Sequence, residues 1–345
     1  RQISDPPAPP RAAAIAGAAP PRLAIDGLTK WFHQGLAIPF IAPSRPVRAV
    51  TEVTLSIPPG QTLAIVGESG SGKSTLARCV AGLLAPGQGG VRLDGHPIAA
   101  AVQRRSRADQ QAIQFIFQNP ESALNPQHTV AEIVARPLRL YAHGDHAAIE
   151  ARVDELLDAV KLGPRHAARY PRELSGGEKQ RVCIARAFAA SPSLVICDEP
   201  TSALDISVQA AILNELVDLQ ARFGTSYLFI SHDLAVVRHV ADRVAVMYQG
   251  RVVEYGTPEQ VFTAPNHPYT EALLAAVPRL DGGGRPRLEG PSAAPEAGCV
   301  FHPRCLHKLG AVCETTVPPA AADANDHVLA CHIPQPRLRE LQQAR

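Results

Sequence analysis

No stretch of this sequence approaches the ~20 consecutive apolar residues that a membrane-crossing helix needs. A role at a membrane would therefore require docking onto a partner that spans it. An excess of either charge is missing as well. Lys and Arg number 34 against 32 Asp and Glu, a formal net charge of +2, which offers no basic surface for wrapping nucleic acid. Residues 1–21 are rich in Pro and Ala and lack the apolar stretch with a charged flank that a secretory signal requires; they are expected to form a disordered leader. Paired C-x2-C knuckles are absent, although the chain has seven cysteines. Cys79, Cys183 and Cys197 stand singly in apolar contexts and read as buried core residues, whereas Cys299, Cys305, Cys313 and Cys331 cluster towards the C-terminus. What is present is an ordinary globular mixture over 345 residues, enough for one large domain with appendages.

Apolar runs and helical periodicities alternate along the chain. A β-rich stretch from Leu23 to about Ile57 is interrupted by Pro39, Pro43 and Pro46. Gln61 to Val66 is a short apolar run ending at Gly67, which predicts a buried strand. A helix is expected from Lys73 to Leu84, stopping before Pro86 and Gly87. Ile113–Phe117, Leu194–Cys197, Ser226–Ile230 and Arg243–Met247 read as further strands. Ile212, Leu213, Leu216, Val217 and Leu219 mark one face of an intervening helix. The alternation predicts an α/β fold whose parallel sheet is covered on both faces. Residues 129–170 offer no strand, and Ile149, Val153, Leu156, Leu157 and Val160 share a helical face, so a helical subdomain (about 119–190) is expected within the core. After about Gly256 the pattern loosens. Residues 281–298 are rich in Gly and Pro and suggest a linker to a small cysteine-bearing tail.

Two strings carry recognisable chemistry. Gly67-Glu-Ser69-Gly70-Ser71-Gly72-Lys73-Ser74 matches G-x-x-x-x-G-K-[ST] between a predicted strand and a predicted helix. Glycines let the backbone close around a phosphate with its N–H groups pointing inward, and the helix start adds partial positive charge. Lys73 supplies a point charge to the β- and γ-phosphates, and the Ser74 hydroxyl can ligate Mg²⁺. The second string is Leu194-Val-Ile-Cys-Asp198-Glu199. Its two carboxylates emerge at the C-terminal end of a buried strand, where ligands of open α/β sheets bind. Asp198 can hold Mg²⁺, and Glu199 can polarise a water attacking the γ-phosphate. A solvated glycine turn and an acidic strand end are the plain alternatives.

Leu174-Ser175-Gly176-Gly177-Glu178-Lys179-Gln180-Arg181 resembles the signature sequence of the ATP-binding-cassette (ABC) family, and it precedes the Asp-Glu strand as that family requires. Taken by itself, a Ser-Gly-Gly lead into a helix is a second phosphate-binding helix start. The resemblance implies an α/β fold of the P-loop NTPase class: a cassette with a parallel-sheet core, an N-terminal antiparallel β part and an inserted helical subdomain (22–262), followed by a small cysteine-containing extension (263–345). It implies two cassettes paired head to tail, each ATP lying between one phosphate loop and the other's Ser175, Gly176 and Gly177. Thr75 joins the loop residues as an ATP contact. Gln118 resembles the glutamine that senses Mg²⁺ and the attacking water. Asp205 resembles the aspartate that communicates across the dimer, and His232 the histidine that contacts the γ-phosphate. Phe32 resembles the aromatic that stacks on adenine, with the adjacent Trp31 as alternative and packing open to either.

Finer features are similar to the dipeptide/oligopeptide importer branch, in particular to the second ATPase of such importers. They are Asn119-Pro-Glu-Ser-Ala-Leu-Asn-Pro126, Thr201 to Ala210, and Asn266-His267-Pro268-Tyr269-Thr270. Nickel and glutathione importers share these features. The resemblance implies a peripheral protein on the cytoplasmic face of the inner membrane. Its partners would be a second ABC ATPase subunit, two permease subunits and an extracytoplasmic solute-binding protein, with no nucleic acid. Soluble ABC proteins of DNA repair or translation usually carry coiled-coil insertions or two cassettes, and neither is present here. The tail spacing Cys299-x5-Cys305-x7-Cys313-x17-Cys331 could hold zinc or an iron–sulfur cluster. Peptide-importer ATPases with a similar tail are associated with a [4Fe–4S] cluster. The nearby His302 and His332 leave zinc open, and four free thiols are the plain alternative.

Overall fold

The computed structural model describes residues 20–34, 45–141, 144–276, 295 and 297–343. Most of the expected leader, the loop around Pro39 and Pro43, and most of the expected linker lie outside them. Among the described residues the strands are β1 (Leu23–Gln34), β2 (Arg45–Ile57), β3 (Thr62–Val66), β4 (Gln88–Leu93), β5 (His96–Pro97), β6 (Ile113–Ile116), β7 (Leu194–Asp198), β8 (Ser226–Ile230), β9 (Arg243–Tyr248), β10 (Arg251–Gly256), β11 (Ala320–Ala322) and β12 (Val328–Ala330).

They form two sheets. The smaller is antiparallel in the order β2-β1-β4-β5, and the larger runs β11-β12-β10-β9-β3-β8-β7-β6. Within the larger sheet β6, β7, β8, β3 and β9 are parallel neighbours. Strands β3, β7 and β8 are buried along their whole length. That is why they read as continuous apolar runs rather than as alternating patterns. The helix Lys73–Val80 lies between the sheets: Leu76, Ala77, Cys79 and Val80 share a core with Leu23, Ile25, Val53 and Ile65. It stops earlier than its apolar pattern predicts. The N–H groups of Gly82 and Leu83 turn back to the Cys79 and Arg78 carbonyls, with Gly82 at φ +76°. This closure takes up the last helical carbonyls and needs a left-handed residue.

On the other face the helices Val130–Leu140, His146–Ala159 and Gly176–Ala189 build the inserted helical layer. Ile149, Val153, Leu156, Leu157 and Val160 are all buried there, as their spacing predicts. Val217 departs from expectation: on the helix Ile206–Phe223 it stays 36% exposed while Leu213 and Leu216 are buried. Cys79, Cys183 and Cys197 are buried, and burial raises the first two thiols to about 11.

The tail is more closely joined to the rest than a linker-borne appendage would be. Strand β12 pairs antiparallel with β10, so β12 and β11 extend the large sheet. Phe301, Cys299 and Cys313 share a core with Val66, Val244, Val246 and Tyr269. The Asn266–Thr270 string fastens this join. The Asn266 amide donates to the Val261 and Thr263 carbonyls at 2.8 and 2.9 Å, and the His267 N–H donates to the buried Glu254 carboxylate at 2.9 Å. From the tail side, His327 Nε2 meets the other Glu254 oxygen at 2.8 Å.

Candidate nucleotide site

Strand β3 ends at Val66, and the next residues turn sharply into the helix at Lys73. Gly72 sits at φ +104°, where an added Cβ would lie 2.1 Å from the Ala49 carbonyl oxygen, so only glycine fits. Ser69 and Gly70 are exposed at the tip, Ser71 is buried, and Ser74 and Thr75 are half-buried in the first helical turn. The Ser71 carbonyl accepts from the Gly250 N–H at 2.9 Å, tying the loop to the turn after β9. The Lys73 ammonium folds back over the loop and donates to the Gly67 carbonyl at 2.7 Å and the Glu68 carbonyl at 2.9 Å. Burial lowers its pKa, opposed by the carboxylates of Glu199, Asp198 and Glu68.

Strand β7 brings Asp198 to the same place. Ser74 Oγ donates to Asp198 Oδ1 at 2.8 Å, so the two expected Mg²⁺ ligands touch across 124 residues of sequence. Burial raises the Asp198 pKa against this hydrogen bond. Glu199 follows at φ +49°, an uncommon conformation for a side-chain-bearing residue, held by its N–H to the Ile230 carbonyl at 3.0 Å. Its Oε2 accepts from Gln118 Nε2 at 3.2 Å and stands 3.1 Å from His232 Nδ1. Gln118 and His232 follow the C-terminal ends of β6 and β8. Four parallel strands thus deliver Lys73, Gln118, Asp198, Glu199 and His232 to one edge of the sheet.

Ser175 caps its own helix. Its Oγ accepts from the Glu178 N–H at 3.3 Å, and Glu178 Oε2 accepts from the Ser175 N–H at 2.8 Å, a reciprocal cap on the helix Gly176–Ala189. Ser175 and Gly176 remain exposed. Gly177 is required for packing: a Cβ there would lie 2.6 Å from Val208 Cγ1. Asp205 caps the helix Ile206–Phe223, accepting from the Val208 N–H at 2.9 Å. Its neighbour Ile206 is 86% exposed. Phe32 is 39% exposed on β1, whereas the Trp31 ring lies against Gly87. Of the two rings, Phe32 is the more exposed, with the Lys30 ammonium 5.3 Å from its centroid.

The four tail cysteines share one neighbourhood. Cys299 and Cys313 are buried, and the Cys299 N–H donates to the Cys313 carbonyl at 2.8 Å. Burial pushes the Cys305 thiol up to about 12 and the Cys331 thiol to about 11, and the charges of the other cluster cysteines push in the same direction. Among the described residues no three His, Cys, Asp or Glu side chains stand close enough to grip a single metal ion. His332 instead approaches the Thr316 carbonyl at 2.9 Å. Tyr269 and Arg304, to which the sequence assigns no site role, are brought to the phosphate loop by the structure. The Glu68 carboxylate is paired with Arg304, and the Glu68 N–H donates to the Tyr269 hydroxyl.

A phosphate loop, a Ser–Asp cation pair and a carboxylate flanked by Gln and His at one sheet edge define a nucleoside-triphosphate hydrolase site. The family profile for ABC transporters matches residues 50–202, and that for the C-terminal region of oligopeptide/dipeptide transporters matches residues 253–313. A probable peptide ABC transporter ATP-binding protein of Sinorhizobium fredii is 44% identical over 328 residues, covering 91% of this chain and 90% of that protein. The oligopeptide transport ATP-binding protein OppF of Haemophilus influenzae is 42% identical over 305 residues, covering 85% of this chain and 90% of its own length. Among solved structures, cbiO1 of Clostridium perfringens, part of an ABC transporter complex, superposes with a TM-score of 0.60 at 28% identity. It covers 70% of this chain and 91% of that one. The dimeric ATP-binding cassette MJ0796 bound to ADP and Pi gives 0.59 at 29% identity, covering 69% of this chain and 99% of that one. The chain belongs to the ATP-binding subunits of ABC transporters and is an ATPase of that family. No helix among the described residues is long and apolar enough to cross a membrane.

Proposed function

We propose that this chain is the ATP-hydrolysing subunit of an importer of di- and oligopeptides, acting as one half of a cassette dimer beneath two permease subunits that receive peptide from a solute-binding protein. The convergence of Gln118 and His232 on one oxygen of Glu199, beside the Ser74–Asp198 pair, carries the hydrolytic part of this reading. The peptide assignment rests on the named activities of the relatives and on the matching C-terminal region.

The loop amides of Gly67 and of Ser69 to Thr75 and the Lys73 ammonium bind the phosphates, while Phe32 stacks on the base. Ser74, Asp198 and Gln118 would hold Mg²⁺, which would neutralise charge developing on the phosphates. Glu199 orients the attacking water and takes its proton. Gln118 and His232 fix the carboxylate, and His232 faces the γ-phosphate. The exposed Ser175, Gly176 and Asp205 and the uncovered Ile206 support a second cassette lying over this edge, with each chain's signature turn completing the other's site.

The chemistry of the tail suits a [4Fe–4S] cluster held by Cys299, Cys305, Cys313 and Cys331. Cys299 and Cys313 are buried, Cys305 and Cys331 are half-buried, and their charges act on one another.

Glu199→Gln tests the hydrolytic assignment. Turnover should fall by roughly 10²–10⁴ with ATP binding retained; near-normal hydrolysis would remove Glu199 from its role. Uptake of a labelled tripeptide by cells lacking the chain tests the cargo. Uptake unchanged by the deletion would end the peptide reading.

A further inference from the structure

Glu68, the second residue of the phosphate loop, is held by the C-terminal tail from two directions. Its backbone N–H donates to the Tyr269 hydroxyl at 2.8 Å. Its carboxylate receives both terminal nitrogens of Arg304, at 2.9 and 3.0 Å. Its carbonyl is one of the two that anchor Lys73, at 2.9 Å. One residue therefore links the tail to the ammonium that meets the phosphates.

The holding groups are themselves fixed. The Arg304 side chain is only 7% exposed, and it also donates to the Tyr248 hydroxyl at 3.3 Å. The rings of Tyr248, Tyr269 and Phe301 pack on one another with centroids 4.5, 5.3 and 5.4 Å apart. Phe301 and Tyr269 are fully buried. Arg304 directly precedes Cys305, so the turn that carries the arginine leads into one of the four tail cysteines. A two-pronged guanidinium–carboxylate pair fixes direction as well as distance.

The electrostatics give the arrangement a purpose beyond packing. A carboxylate beside a phosphate cradle repels the ligand it is meant to bind, unless a cation cancels it. We propose that Arg304 is a positioning residue of the ATP site: it cancels the charge of Glu68 beside the phosphate cradle, so that the C-terminal tail sets the affinity of the phosphate loop. The inference rests on the nucleotide reading of that loop and is independent of what is transported.

The test is Mg-ATP affinity of the full-length chain, measured by calorimetry beside its melting temperature. Wild-type binding in the same assay checks the nucleotide reading separately. Arg304→Ala leaves Glu68 charged and uncancelled and should weaken binding about tenfold. Adding Glu68→Gln to it removes the stray charge and should restore affinity to within about threefold, although the pair is still missing. Glu68→Gln alone leaves the arginine in place and should bind at least as tightly as wild type. Arg337→Ala breaks an exposed tail pair with Glu340 and should bind as wild type does. A purely structural bond predicts that the double variant binds as poorly as Arg304→Ala, and that result overturns the proposal. So does wild-type affinity in Arg304→Ala. Should Arg304→Ala fail to fold, Glu68→Gln decides: binding more than about threefold weaker than wild type would sink the electrostatic role.

Discussion

Gly177 offers a sharp separation between packing and phosphate binding. A Cβ added there would sit 2.6 Å from Val208 Cγ1, while the Val208 Cβ is 3.9 Å away. Valine on a helix has essentially one comfortable rotamer, so Val208 cannot swing aside. Gly177→Ala should therefore cost about 1–3 kcal/mol of overpacking. Against that stands the gain of about 0.5–1 kcal/mol from replacing glycine inside a helix. With Val208→Ala already present the obstructing methyls are gone, only the propensity gain remains, and the same substitution should become stabilising. The sign reversal amounts to a coupling of roughly 2 kcal/mol between the two positions. Thermal melts of the four proteins measure it. Destabilisation of equal size in both backgrounds would refute the contact. ATP hydrolysis by the same set reads the other role: activity that stays lost when stability has been restored would mean that the glycine also lets backbone approach phosphate in the partner cassette.

Two further predictions concern the tail. His267 is buried, its Nδ1 accepts from the Tyr269 N–H at 3.1 Å, and burial lowers its pKa to about 3. The folded ring thus stays neutral while the unfolded chain binds a proton below about pH 6.5, so stability is lost as pH falls from there toward about 3. Neighbouring Glu254, whose pKa burial raises, titrates with the opposite sign, so wild type and His267→Asn must be melted at each pH in parallel. Their difference in melting temperature should shrink between pH 7.5 and 5; a constant difference would exclude His267 as the cause. The tail cysteines make the second prediction. Protein purified without oxygen should be brown and contain iron and acid-labile sulfide, and stoichiometric zinc without iron would reject the cluster.

Much of the nucleotide site is legible in the sequence because its chemistry is local. The string from Gly67 to Ser74 joins a buried strand to a helix, and those eight residues carry the loop, the ammonium and the hydroxyl together. Asp198 and Glu199 are adjacent at the end of an all-apolar strand, so their place at the sheet edge follows from that pattern. The inserted helical layer is visible in the periodicity of Ile149 to Val160. Periodicity misplaced Val217, because spacing along a helix gives the angle of a side chain but not how far the covering layer extends.

Contacts between distant segments leave no such trace. Gln118 and Glu199 meet across 81 residues, and Arg304 and Glu68 across 236. Neither pairing has a spacing that a backbone repeat could impose. The second duties of Ser175 and Asp205 as helix caps, and the packing need behind Gly177, emerge only once the neighbouring helix is in place. The tail reads as an appendage, since short strands such as Val328–Ala330 carry too few residues to show alternation. The sequence by itself determined the chemical groups and the order of strands that deliver them to ATP. Only the tertiary structure decided that the tail would complete the sheet and brace the phosphate loop, because hydrogen bonds and close packing between segments depend on three-dimensional proximity, which no local pattern encodes.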